Sequence, residues 1–367
     1  MNPLLRSLLL LASSGAFPPP VWNRFEELGL PPEAFYLEGE KLWEGLGCSP
    51  QVISTLRSHD KGDWPEREAE RAAKSGIRLL TFKDRAFPDR LRNIPSAPCL
   101  LYVRGEGELS ECSVAVVGTR RCTAYGDRVA REIGRAAAEA GGTVVSGGAS
   151  GIDGAAHEGC LSAGGITLAV LGTGVNVAYP RNHEGLFERI ASSGGALLSE
   201  YPLDTPPRPW RFPERNRIVA ALAERTVIVE APLKSGAMIT ARLALDMGRE
   251  VWAVPGRINE TGCEGSNRLL YDGAQALVSI PDFIALAFES QLSLFPLFER
   301  GEGENSSSLD EKESRILAVL KKYGEKTVDN LAVEGKMSPA DVFSCLATLS
   351  AGGLIFPSGP GRWSAAP

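Results

Sequence analysis

Six short apolar runs, Val114–Val117, Thr143–Val145, Thr167–Leu171, Ala196–Leu198, Thr226–Val229 and Glu250–Val254, alternate with helix-period segments such as Asp127–Ala140, Asp153–Ala163 and Ala237–Met247. Runs this continuous in apolar residues suit strands buried on both faces. That is the habit of parallel sheets whose crossover helices cover both sides. The rhythm predicts a Rossmann-like, doubly wound, mostly parallel α/β domain. The rest of the chain is long enough for one or two further domains, since 367 residues at about 150 per domain give two or three. A hydrophobic content of 43% excludes a mainly disordered chain. No apolar run approaches the roughly 18 residues of a membrane helix.

The flanks read differently. Residues 1–75 carry helical spacing at Val21–Leu28 and Lys41–Leu46, with breaks near Gly29 and Gly47, and predict a small helical module of the helix–hairpin–helix or SAM-like kind. The leucine run Leu8–Leu11 loosely mimics a signal peptide, but it is short, and a first core helix is the expectation. Strand-like segments at Ile77–Phe82 and Cys99–Val103 open a domain spanning 76–289. The Gly- and Ser-containing stretch 290–308 reads as a linker. Residues 309–367 predict three helices and a hairpin, hence a winged helix, with Ser338 capping a helix that has Pro339 at its first position. This tail has seven basic and seven acidic residues, and its third helix, Ser338–Leu349, has Asp341 and no basic residue. Such a helix suits a protein contact better than duplex DNA.

In an open α/β sheet, ligands bind beyond the carboxyl ends of the strands, and the unusual residues of this chain lie there. The first strand ends in Gly118-Thr119-Arg120-Arg121, and the second in Ser146-Gly147-Gly148-Ala149-Ser150-Gly151 before Ile152-Asp153. The third ends in Gly172-Thr173-Gly174, and the fifth in Glu230, with Lys234-Ser235-Gly236 following. Glycine turns at helix starts let backbone N–H groups meet an anion, so Ser146–Gly151 is expected to cradle phosphate. A nicotinamide dinucleotide is disfavoured, because the glycines run GGxxG and Thr167–Val175 holds no acid for a ribose. A P-loop is absent, and no cofactor is expected.

The segment Arg208–Arg217 contains four arginines, one glutamate, Trp210 and Phe212, a local charge of +3 in a chain of net −6. Arginine offers forked donors to phosphate, and aromatic rings offer platforms to bases, so the segment points to single-stranded nucleic acid. Its prolines predict a loop that enters a helix near Ile218. Asp153 and His157, four apart on one helix face, read as a helix-capping acid beside a structural histidine. Glu200 and Glu230, at strand ends, read as braces for the arginines. His157 and Cys160 lack a second ligand pair, so no metal is expected. Seven widely spaced cysteines without a CxxC suit a reducing cytoplasm.

These residues fall into strings that resemble the DNA-processing protein family DprA, also called Smf. Among them are Val116-Val117-Gly118-Thr119-Arg120, Val145–Asp153 with Ala156-His157, Tyr179-Pro180 and Leu198-Ser199-Glu200-Tyr201-Pro202. Phe212-Pro213-Glu214-Arg215-Asn216-Arg217-Ile218, Glu230-Ala231, Ser235-Gly236 and Val254-Pro255-Gly256 follow, all in order within Phe87–Val278. The resemblance implies a non-enzymatic cytoplasmic protein that binds single-stranded DNA, protects incoming strands in natural transformation and helps load the RecA recombinase. It also implies a homodimer formed through the Rossmann-like domain. The site residues it implies are Gly118, Thr119 and Arg120, the Ser146, Gly147, Gly148 and Gly151 cradle, and Arg215, Asn216 and Arg217; Phe212, Ser235 and Gly236 complete the expected site. In this expectation Arg120, Arg215 and Arg217 neutralise phosphates while Phe212 and Asn216 meet the nucleotide. The competing class is a nucleotide-processing Rossmann-like enzyme of the phosphoribohydrolase type, whose PGGxGT signature does not occur here.

Overall fold

A computed structural model describes residues 1–15, 18–107, 112–292, 311–351, 354–359 and 362–365. The chain folds as two compact units, Met1–Leu297 and Phe298–Pro367. From residue 293 the expected linker lies outside the described residues.

Six helices open the first unit: α1 (Pro3–Ser13), α2 (Pro18–Glu27), α3 (Ala34–Leu37), α4 (Glu40–Gly45), α5 (Pro50–Lys61) and α6 (Trp64–Lys74). Asn2 caps α1, accepting from the Leu4 N–H at 2.9 Å, with Pro3 at the first helical position. Leu8–Leu11 are all buried because α5, α6 and the sheet surround the helix. The run therefore packs on every side instead of forming a single stripe. Trp22, Phe25, Phe35 and Trp43 form an aromatic cluster among these helices, and the Trp43 indole N–H donates to the Phe35 carbonyl at 2.7 Å.

The remainder continues β1 (Ile77–Thr81), α7 (Asp89–Arg92), β2 (Leu100–Gly105), β3 (Ser113–Val117), α8 (Ala124–Glu139), β4 (Thr143–Ser146), α9 (Ile152–Ser162) and β5 (Thr167–Val170). Then come α10 (Glu184–Ser192), β6 (Ala196–Ser199), α11 (Arg211–Leu222), β7 (Arg225–Ile228), α12 (Gly236–Asp246), β8 (Glu250–Ala253), α13 (Glu264–Tyr271), β9 (Gln275–Ala276) and α14 (Ile280–Leu292). The nine strands form one sheet in the order β1-β2-β6-β5-β4-β3-β7-β8-β9. The run from β6 through β9 is parallel, and β2 and β1 add antiparallel at one edge. Every residue of β3, β4, β5 and β6 is buried. Helices α8, α9 and α14 cover one face and α7, α11, α12 and α13 the other. The N-terminal helices and α10 extend the first face over β2, β5 and β6. Helices α8 and α9 approach closely enough that a Cβ on Gly134 would strike the Ala156 carbonyl. The strand order reverses at β3, from which the chain winds first through β4, β5 and β6 and then back to β7. In such sheets the crevice opens at that reversal.

One local expectation fails. Arg208–Arg217 is not a loop up to Ile218, because α11 begins at Arg211. Pro213 lies in the first turn, where the backbone N–H has no intrahelical partner to lose, so the proline starts the helix instead of delaying it.

The second unit comprises α15 (Glu311–Tyr323), β10 (Lys326–Thr327), α16 (Val328–Gly335), α17 (Pro339–Ala351), β11 (Ile355–Gly359) and β12 (Arg362–Ala365), with sheet order β10-β12-β11. The Ser338 hydroxyl accepts from the Asp341 N–H at 3.2 Å at the start of α17. No helix among the described residues is long and apolar enough to cross a membrane.

Candidate functional site

The loops leaving β3, β4 and β7 and the start of α11 enclose a cleft of about 1070 Å³ at the carboxyl edge of the sheet. Glycines fix this geometry by close approach. A Cβ on Gly118 would meet the Ile152 side chain and the Glu230 carbonyl. The neighbouring Thr119 N–H donates to that carbonyl at 2.7 Å, and the Thr119 carbonyl accepts from Ile152 N–H at 3.3 Å. Held on both sides, this loop presents Arg120 and Arg121 to the cleft. Glu230 does not brace an arginine. Its buried carboxylate accepts from the Thr123 N–H at 2.9 Å and hydroxyl at 2.6 Å, fastening the start of α8 beside β7.

The loop after β4 forms the floor. The Asp153 carboxylate accepts from the Gly147 N–H at 3.1 Å and the Ala149 N–H at 3.4 Å, so these donors already meet an anion supplied by the chain itself. Arg215 lies across Gly147 from Asp153, 4% exposed, and donates to the Gly147 carbonyl at 2.5 Å and to the Val170 carbonyl. Burial pushes the Asp153 carboxyl up despite Arg215, and it pushes Arg215 down to about 10, which leaves the guanidinium charged at neutral pH.

Nine of the residues singled out in the sequence line this one cleft: Gly118, Thr119, Arg120, Gly147, Phe212, Arg215, Asn216, Ser235 and Gly236. The Arg120 guanidinium sits 5.1 Å from the centre of the Phe212 ring, whose other neighbour is Tyr179 at 5.3 Å. The Ser235 hydroxyl caps α12 through the Met238 N–H, and the Asn216 amide donates to the Gly236 carbonyl at 3.2 Å. Four residues stand behind the walls. The Ser146 hydroxyl is buried on the Val116 carbonyl at 2.7 Å. Gly148 and Gly151 supply positive-φ turn positions packed against Phe187 and the Thr119–Arg120 backbone. The expected phosphate partner Arg217 faces away. Its guanidinium is clamped bidentately on Glu200, 2.6 Å on each arm, and donates to the Ser96 carbonyl at 2.8 Å. Glu200 is thus an arginine brace, and burial of the pair removes Arg217 from any ligand in the cleft.

The cleft also contains cations beyond the expected site residues: Arg121, Arg208 and Lys234 belong to the segments singled out in the sequence, and Arg242 lies outside them. Arg121, Arg208, Lys234 and Arg242 join Arg120 along its walls, and none of these five forms an ion pair among the described residues. Among the described residues the sole lining carboxylate is Asp153, offset by Arg215. Helical spacing offers a signal for Arg242, since Gly236, Ile239, Arg242 and Leu243 recur at the period of one face. Among the described residues no three His, Cys, Asp or Glu side chains group into a metal site.

Beneath the floor His157 is fully buried, its Nδ1 2.7 Å from the Thr167 hydroxyl. Burial, with smaller contributions from His183 and Arg215, pushes it down to about 3. The unfolded chain binds this proton near pH 6.5 and the folded chain refuses it until about pH 3, so stability falls as pH drops through that window. Urea titrations at pH 7.5 and 5.5 are expected to show His157→Gln losing about 1.4 kcal/mol less than the parent over this interval. Parallel pH profiles would refute the assignment.

A family model for DNA recombination-mediator protein A matches residues 78–287. The chain is similar to a Mycobacterium tuberculosis protein bearing the DprA name, with 38% identity over 334 residues covering 85% of this chain and 84% of that one. Among solved structures it resembles DNA processing protein A of Streptococcus pneumoniae, with a TM-score of 0.63 and 30% identity over 77% of this chain and 97% of that one. It also resembles the Helicobacter pylori DNA processing protein A, described for its single-stranded DNA binding mode. There the TM-score is 0.52 and the identity 36% over 58% of this chain and 96% of that one.

Proposed function

We propose that this chain, which belongs to the DNA recombination-mediator protein A (DprA or Smf) family, grips single-stranded DNA in the cleft at the carboxyl edge of its sheet. The observation that carries this reading is a set of five cations lining one cleft without carboxylate partners among the described residues, in a chain of net charge −6. Cations gathered on one face with few acids are the electrostatic footprint of a polyanion. Arg120, Arg121, Arg208, Lys234 and Arg242 meet phosphates, and Phe212 and Tyr179 offer stacking faces to the bases. Gly147 and Gly118 keep the floor low enough for the backbone to approach, and Arg215 keeps the buried Asp153 from repelling the strand. Binding is largely sequence-independent and strongly dependent on salt.

Arg120→Ala combined with Arg242→Ala is expected to weaken oligo-dT binding about tenfold at low salt and to flatten the slope of log affinity against log salt by about 1.4, or 0.7 per phosphate contact. Both side chains are exposed, so the fold should be unaffected. A mobility-shift titration at several salt concentrations checks this, and an unchanged slope would remove them from the interface.

The family resemblance extends the reading to delivery of the strand to the RecA recombinase and to a homodimer formed through the Rossmann-like domain. The tail unit fits a winged helix by its order of three helices and a small sheet. Its α17 has no basic residue, and Asp341 pairs with Lys312 at 2.8 Å, which favours a protein contact over duplex DNA.

A further inference from the structure

We propose that the bound strand continues beyond the cleft and places one nucleobase in a second cavity, between the start of α11 and the N-terminal helices, with the Trp210 indole as its platform. This rests on the single-stranded DNA reading and assigns the N-terminal module a share in the interface.

Residues Pro207–Glu214 form a ridge with the cleft on one side and a cavity of about 250 Å³ on the other. Arg208, which lines the cleft, and Arg211, which lines the cavity, both lie near Trp210, with guanidinium carbons 5.9 and 6.0 Å from its ring centre. Trp210 itself is 57% exposed. An indole that is more than half exposed and has two guanidinium groups near it is a stacking surface that serves any base, because every base presents a π-face and the nearby cations offset the adjoining phosphates.

The cavity beyond is suited to a base and not to phosphate. Trp64 and Tyr201 supply aromatic walls, and the Arg211 guanidinium lies 5.0 Å above the Tyr201 ring. Its charged lining is balanced or acidic, with Arg211 facing Glu214 and with Glu200, which is already closed on Arg217. Glu214 commits one carboxylate oxygen to the Tyr201 hydroxyl at 3.0 Å, and the other has no partner among the described residues. A carboxylate oxygen repels phosphate but accepts from a base amino group. The volume is below the roughly 300–1,000 Å³ of pockets for larger ligands, a size for one planar ring system.

The walls are also set in advance. Glu68 of α6, 1% exposed, accepts from the Leu203 N–H at 2.8 Å, and Arg71 bridges Glu68 and Asp204. These contacts fix the segment leading into the ridge against the N-terminal helices, so a base entering here meets a formed site.

The test is affinity against oligo-dT length for the full chain and for Trp210→Ala and Trp210→Phe. Trp210 does not line the cleft, so oligonucleotides that only fill the cleft should bind Trp210→Ala as they bind the parent. Longer ones should bind it about 5- to 100-fold more weakly, the worth of one stacked base, with Trp210→Phe close to the parent. Equal long-oligonucleotide affinity in Trp210→Ala and the parent would overturn the second subsite while leaving the cleft intact. Failure of the parent to bind any length would overturn both readings together.

Discussion

Arg217→Ala is expected to destabilise the fold by about 3–5 kcal/mol, the range for breaking one side of a buried ion pair. The reason is the solvation of what remains. Arg217 and Glu200 are each 6% exposed, and both oxygens of Glu200 are held by the guanidinium. Truncation leaves a carboxylate in a water-poor site together with an unmatched Ser96 carbonyl. Replacing both partners by apolar residues, Arg217→Met with Glu200→Leu, should recover most of the loss, because a matched hydrophobic pair carries no desolvation penalty. Urea titration of the two single variants and the double variant measures this directly. Among folded molecules the affinity for oligo-dT should be unchanged, since Arg217 does not line the cleft. Full stability with lost binding would instead return Arg217 to the DNA interface.

That distinction marks where reading the sequence stops. The strands were legible because burial on both faces forces continuous apolar runs, and β3 through β8 fall on the six segments identified. The cleft's place was legible because glycines gather where strand ends must approach helix starts. The arginines of one short segment were not separable by type. Arg215 and Arg217 lie on a helix, and once α11 is seen to start at Arg211, Arg215 shares a face with Ile218, Val219 and Leu222, which predicts its burial. Treating Pro213 as a helix breaker hid that periodicity. The pairing of Arg217 with Glu200 needs β6 and α11 to meet, a tertiary fact that no local spacing encodes. The phosphate expectation at Ser146–Gly151 has a similar history. The glycine turn and helix start were visible, but so was Asp153, whose carboxylate meets the very N–H groups that the motif offers. Arg121 and Lys234 were visible at the strand ends, whereas Arg242 lies inside α12 and joins them only when the sheet brings these segments to one edge.

Arg215→Met is expected to have a comparable effect on stability, with a pH signature that Asp153 carries. The guanidinium is the charge that partly offsets burial of the Asp153 carboxyl, which is already held above its ordinary range. Without it the carboxyl moves further up in the folded state, while in the unfolded chain it stays near 3.9. The folded variant then keeps a proton that the unfolded chain gives up. Its deficit of about 3–5 kcal/mol at neutral pH should therefore shrink as pH falls toward 4. Adding Asp153→Asn, which keeps an acceptor for the Gly147 and Ala149 N–H groups but removes the charge, should recover stability at pH 7 and abolish the pH dependence of the difference. Binding separates the two roles further. The rescued double variant should fold with its five cleft cations in place, so its affinity for oligo-dT should stay within a few fold of the parent if Arg215 serves to neutralise Asp153 rather than to hold phosphate. A loss of tenfold or more, at restored stability, would make Arg215 itself a phosphate contact.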